Sequence, residues 1–202
     1  MTWELWQAYA IFAFVAFLLL PTAKLRTNGR IAVLLLVAGA GFVQVGGLPL
    51  AAYPRSLLDD LALTTVAWLG YAVLTRTTSI PRVRQAHRIQ ILVCFALAAL
   101  LLYPATLGLT YTDPYRLGFE PREMLAVAFL VTTGFWLQRN YLGVALLLVA
   151  TLGFTVDIKP SGNYWDYLVD PALGLYCWIA LLGHGIAATV ARFRVATERP
   201  TP

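Results

Sequence analysis

Charge is scarce in this chain, and none of it falls inside the long apolar stretches away from their ends. Aspartate, glutamate, lysine and arginine together make up 12% of the 202 residues, about half the ~25% of an ordinary soluble domain, while apolar residues make up 59%. A water-soluble fold of this size has too little interior to hide that much apolar surface, so a bilayer is the expected solvent. Cysteine is nearly missing, and Cys94 and Cys177 both lie in apolar runs, which argues against a disulfide scaffold. A basic leader is missing as well. Glu4 is the only charge in MTWELWQ, so the first apolar run reads as a retained span rather than a cleavable signal peptide.

Other absences exclude whole chemistries. His87 sits in a basic loop, which leaves His184 without a partner for paired-histidine haem ligation. Lys24 and Lys159 both fall in loops, so no mid-membrane amine can form a Schiff base. Every carboxylate lies at or beyond the end of a span, whereas a proton-coupled carrier needs one buried within. Walker, Rossmann, serine-elbow and HExxH patterns do not occur. One histidine and one cysteine are too few ligands for a metal site, so neither metal nor cofactor is expected. Nothing calls for nucleic acid.

What the sequence does contain is seven apolar segments of near-bilayer length: Leu5–Leu20, Ile31–Leu50, Leu57–Thr75, Ile89–Leu109, Pro121–Leu137, Tyr141–Val156 and Pro171–Val190. Proline, glycine, asparagine and arginine punctuate the breaks. The expected fold is an all-α polytopic membrane bundle of about seven transmembrane helices, forming one domain over residues 1–192 with a short cytoplasmic tail at 193–202. The fifth and sixth segments are short and separated only by Gln138-Arg139-Asn140. They form a tight hairpin that either spans a thinned bilayer or re-enters it.

Charge fixes the orientation. With the N-terminus outside and the C-terminus cytoplasmic, eleven of the fifteen basic residues face inward, and nine of the ten acids face outward. Short loops rich in arginine stay inside, so this assignment satisfies the positive-inside rule at every inner loop. The balance of thirteen arginines to two lysines points to a GC-rich bacterial genome, and hence to a bacterial cytoplasmic (inner) membrane. The loop Arg76–Arg88 carries four arginines and reads as a topology anchor that also attracts anionic lipid.

The outer surface gathers the candidate binding residues: Asp113, Tyr115, Arg116, Glu123, Tyr164, Trp165, Asp166 and Asp170. Rings stack on apolar ligand faces while carboxylates accept hydrogen bonds from hydroxyls. Each residue also has a plainer role. Asp170-Pro171 is an N-cap followed by proline at the first helical position. Asp113-Pro114 is a turn, Asp59 and Asp60 suit a helix start, and tyrosine and tryptophan belong at membrane interfaces. Tyr164, Trp165 and Asp166 are not needed to start a helix, so the functional signal concentrates there. Within the membrane the polar candidates are Gln44, Cys177 and His184. The spacing of Ala180, His184 and Ala188, with Gly183 paired to Ala187, predicts close helix packing and a neutral histidine bonded across it.

The run TYTDPYRLGFEPREMLAVAF (Thr110–Phe129) resembles, over some twenty residues, the W/Y-DP…G…PxEE…F signature of membrane-embedded lycopene cyclases. It departs from that pattern in having Arg122-Glu123 where an acidic pair stands, and Gly47-Leu48-Pro49-Leu50 lacks the acids, so membership is not assigned. The expected function is that of a non-catalytic accessory or binding subunit for a membrane partner or lipid-linked molecule, acting through the outer acidic-aromatic face. The alternative is an outer-leaflet enzyme on a lipid- or isoprenoid-linked substrate, whose acids would be Asp113, Glu123, Asp166 and Asp170, with no catalytic role assigned among them. A small-molecule transporter is the third reading.

Overall fold

The computed structural model describes residues 6–58 and 61–197. Asp59, Asp60, Glu4, Glu198 and Arg199 lie outside the described residues, as do the side chains of Arg192 and Arg194. The described chain is all-α apart from one tiny hairpin. Its helices are α1 (Trp6–Leu19), α2 (Thr27–Ala40), α3 (Ala52–Leu58), α4 (Leu63–Thr77), α5 (Gln85–Thr106), α6 (Pro121–Leu137), α7 (Tyr141–Thr155), α8 (Trp165–Leu168) and α9 (Pro171–Thr197). Strands β1 (Gln44–Val45) and β2 (Leu48–Pro49) pair antiparallel.

Each of the seven apolar segments contains a helix, but their lengths differ. Among the described residues two helices are long and apolar enough to cross a membrane, α5 with 22 residues and α9 through Ala191. At 1.5 Å per residue, the 14-residue α1 and α2 reach only about 21 Å, short of a ~30 Å hydrocarbon core. The second segment is shortened by a turn. Gly46 (φ 59°) and Gly47 (φ 85°) adopt left-handed backbone that favours glycine, so the chain folds back between β1 and β2 instead of continuing as helix. Gln44, expected inside the membrane, is consequently exposed on this hairpin. Helix α9 continues to Thr197, into the stretch 193–202 expected as a separate tail.

Packing joins α5 to α9, α6 to α7, α1 to α2 and α4, and α4 to α7. The core is apolar: Ile91, Leu92, Phe95 and Ala99 of α5 meet Leu146, Leu147 and Ala150 of α7 and Leu173 and Cys177 of α9. The tight α5–α9 contact is made at Gly174, where a Cβ would lie 2.8 Å from the Cβ of Ala99. Gly183 and Gly185 face open space instead, so the close packing expected around His184 is not formed within the chain. His184 does bond across the helix pair, accepting from the Gln85 amide at 3.3 Å.

The helix bundle has two chemically distinct poles. At one, Arg30 Nη1 donates to the carbonyl of Arg76 (2.8 Å) and Arg76 Nη1 donates to the carbonyl of Leu18 (2.7 Å). These guanidiniums satisfy carbonyls left open at the C-terminal ends of α1 and α4. The α6–α7 turn reaches the same pole. Its Asn140 Nδ2 donates to the His87 carbonyl (2.9 Å) and Gln90 Nε2 donates to Gln138 Oε1 (2.6 Å), fixing the turn to the start of α5. The opposite pole carries the described acids: Asp113, Glu120, Glu123, Asp157, Asp166 and Asp170. Between the poles the bundle surface is apolar, with Leu36 on α2, Leu97 on α5, Phe129 on α6, Leu152 on α7 and Leu182 on α9 each 60–72% exposed. Exposed apolar side chains on five helices mark a surface that meets lipid or a partner more readily than water.

Candidate functional site

The acidic pole is organised by the segment from Lys159 to Asp170, which links α7 to α9. Four polar side chains hold it. Tyr167 Oη donates to the carbonyl of Lys159 (2.9 Å), and Asn163 Nδ2 donates to the carbonyl of Tyr115 (2.9 Å). Trp165 Nε1 donates to the carbonyl of Pro114 (2.9 Å), and Lys159 Nζ donates to the carbonyls of Leu61 (3.1 Å) and Asp166 (2.9 Å). The Lys159 ammonium also lies 5.8 Å from the Tyr167 ring centroid, within cation–π range. These bonds tie the segment to the 3₁₀ turn at Pro114–Phe119. The contact is so close that a Cβ on Gly118 would lie 1.7 Å from Asn163 Oδ1.

Asp170 acts as predicted for an N-cap, and for more than one helix. Its Oδ1 accepts from the Leu173 amide of α9 (2.7 Å). Its Oδ2 accepts from the Ala62 amide (2.8 Å) and the Thr65 hydroxyl, at the start of α4. One buried carboxylate therefore satisfies orphan donors at two positive helix ends. Beside it, Thr64 Oγ1 donates to the carbonyl of Leu168 (2.7 Å).

Tyr164 and Trp165 are not on an open face. Both are buried, with Tyr164 edge-on to Phe154 (5.1 Å) and its hydroxyl 2.6 Å from Thr151 Oγ1. Amphipathic rings at a helix end can point inward when backbone carbonyls and hydroxyls there accept their polar tips. Asp113 is exposed and accepts from the Arg116 amide (3.3 Å), capping the 3₁₀ turn. Arg116 and Glu123 are exposed and lie outside the cleft described next. Cys177 is buried in the α5–α9 contact.

Of the eight outer candidates, three converge. Tyr115, Asp166 and Asp170 line a cleft of about 530 Å3, together with Lys159, Ser161 and the apolar Leu102, Val169 and Pro171. With Asp170 occupied by helix amides, Asp166 is the carboxylate available to a ligand. It is half-buried and accepts from Tyr115 Oη (3.1 Å to both oxygens) and from Ser161 Oγ. A carboxylate has about four lone-pair sites, so acceptor capacity remains on Oδ1. Burial, and then the charge and hydrogen bond of Asp166, push the Tyr115 phenol above its ordinary value. Lys159 and Ser161 were missed by the sequence reading. Only a contact map places Lys159 indoors, since its charge suggested a solvated loop.

Three tyrosines of this pole, Tyr115, Tyr164 and Tyr167, are held above the ordinary value of 10.0, each chiefly by burial. A raised phenol pKa in the folded state contributes stability in full below pH 10, and that stability is lost as pH rises through the folded values. The detergent-purified protein is therefore expected to lose thermal stability steadily above pH 10. Tyr164→Phe, which removes one such phenol, should make that decline shallower, as read by melting curves across the alkaline range.

The described residues thus form an all-α fold, one short hairpin apart, with two helices long and apolar enough to cross a membrane and a carboxylate-headed cleft at one pole. Comparison with protein-family models, with curated proteins and with solved structures finds no match.

Proposed function

We propose that this protein is a small integral membrane protein that binds a lipid-linked molecule in the Asp166 cleft, at the outer face of a bacterial cytoplasmic membrane, without transforming it. The carrying observation is the make-up of the cleft. Its rim offers a carboxylate, a phenol and a hydroxyl, and its floor offers Leu102, Val169 and Pro171. That pairing suits an amphipathic ligand, whose hydroxyl-bearing head bonds Asp166 while its apolar portion covers the floor. Asp166 accepts from both Ser161 and Tyr115, which orders the rim as a hydrogen-bonding seat for a polar head.

The seven longer helices cross the bilayer in this reading, with the N-terminus outside. Three features support it: the split of basic and acidic poles, the apolar mantle between them, and the return of every inner loop to the same pole. The shorter helices reach both faces because α5 and α9 anchor a bundle around which the bilayer thins, at a cost of fractions of a kcal/mol per Å.

The test is extraction in mild detergent, followed by mass spectrometry of co-purifying lipids and proteins. A lipid-linked species should accompany the wild-type chain. Its recovery should fall about tenfold in Asp166→Asn, in line with the loss of a hydrogen bond to a charged group. A bare chain, or a ligand retained equally by Asp166→Asn, would refute the assignment.

A further inference from the structure

We propose a second site, at the basic pole, for an anionic phospholipid lying in a groove between α1, α4 and α9. The groove has a volume of about 530 Å3, and its walls include Val15 of α1, Trp68 and Leu69 of α4 and Leu173 of α9. At its basic end stand Arg76 and Arg82. A neighbouring cavity of about 370 Å3 shares Leu18, Arg76 and Arg82 with it and adds Arg30. The two spaces thus meet at the arginines.

The basic end carries more charge than the fold consumes. Arg30 is engaged by all three guanidinium nitrogens, with the carbonyls of Thr22, Ala23 and Arg76, whereas Arg76 donates from Nη1 alone, to Leu18. Arg82 is exposed and has no hydrogen-bond partner among the described residues. Arg88 adds a further cation at the rim, where its Nη2 donates to the Tyr176 hydroxyl (2.8 Å), and Tyr176 itself lines the groove. Every described carboxylate belongs to the other pole. Asp170, which meets the far end of the groove through Thr65, is buried and committed to three donors at the starts of α4 and α9. Apolar walls ending in a forked cationic cluster match one occupant: an acyl chain along Trp68 and Leu69, with its phosphodiester at Arg82 and Arg76. This gives the Arg76–Arg88 loop a defined lipid seat, rather than a diffuse attraction to the membrane surface.

Native mass spectrometry of the full chain, titrated with phosphatidylglycerol or phosphatidylcholine of matched acyl chains, tests the site. Phosphatidylglycerol should be retained in preference. Arg82→Gln should weaken it about fivefold, the effect of one basic residue near a lipid surface. Ala72→Trp, which fills the groove wall without touching charge, should weaken it at least as much. Arg76 is left intact, because it also holds α1. Equal retention of the two lipids overturns the proposal, as does undiminished phosphatidylglycerol binding in Ala72→Trp. Full displacement by inorganic phosphate alone overturns it in favour of a free-anion site. Asp166→Asn should leave phosphatidylglycerol binding unchanged, which separates this site from the cleft at the acidic pole.

Discussion

Leu97→Arg is expected to cost about 3 kcal/mol of membrane insertion and to remove most of the correctly inserted protein. Leu97 lies near the middle of α5 and is 60% exposed in the isolated fold. In water, an arginine at such a site is nearly neutral, since surface substitutions stay within about 0.5 kcal/mol. In hydrocarbon it must be desolvated or must drag water inward, and both oppose insertion. The same substitution at Leu25, an exposed loop leucine of the basic pole, supplies the control and should be harmless. Insertion can be read by protease protection and by monodispersity of the extracted protein. Indistinguishable behaviour of the two variants would show that water, and not lipid, surrounds α5, and the membrane assignment would fail with it.

Asp170→Ala is expected to destabilise the folded chain by about 3–5 kcal/mol. The estimate takes two N-cap losses of ~1–2 kcal/mol each, which already include the amides left without an acceptor, and adds ~1 kcal/mol for the Thr65 hydroxyl. That is a large fraction of the ~5–15 kcal/mol that holds a typical domain together. Asp170→Asn keeps an acceptor oxygen but loses the charge at two helix dipoles, so it should show roughly half the effect. Pro171→Ala, which keeps the carboxylate, should be mild. Thermal melts in a single detergent give the ranking. A melting temperature for Asp170→Ala close to wild type would mean that the N-termini of α4 and α9 are held by something else.

Helix type and most helix limits were readable from residues alone. Pro121 and Pro171 sit at first helical positions, where a missing amide costs nothing, and α6 and α9 begin there. Gln138-Arg139-Asn140 ends α6 and starts α7 for an equally local reason. Arg139 turns left-handed (φ 56°), and the Asn140 side chain accepts from the Gly143 amide (3.2 Å). The segment Ile31–Leu50 misled because Val43, Val45, Leu48 and Leu50 continue the apolar composition through a turn that two glycines make. Composition has no period, and a two-residue strand is too short to display one.

The site was less legible. Asp170 announced itself as a cap, but its reach to Ala62 and Thr65 spans more than a hundred positions of sequence, and no local pattern encodes that. Tyr164 and Trp165 looked like interface aromatics because residue type cannot tell a ring facing a head group from one donating to a carbonyl behind it. Asp166 was found by elimination: it had no task in starting α9. Its partners Ser161 and Lys159 carried no signal at all.

The double duty of Asp170 has a consequence for biogenesis. The ribosome releases α4 about a hundred residues before the carboxylate that satisfies its first amides. Until then that helix end lacks its side-chain cap. Emergence of Asp170 fastens α4 and launches α9 in one event, so the cleft beside it takes shape only after the segment linking α7 to α9 has been made.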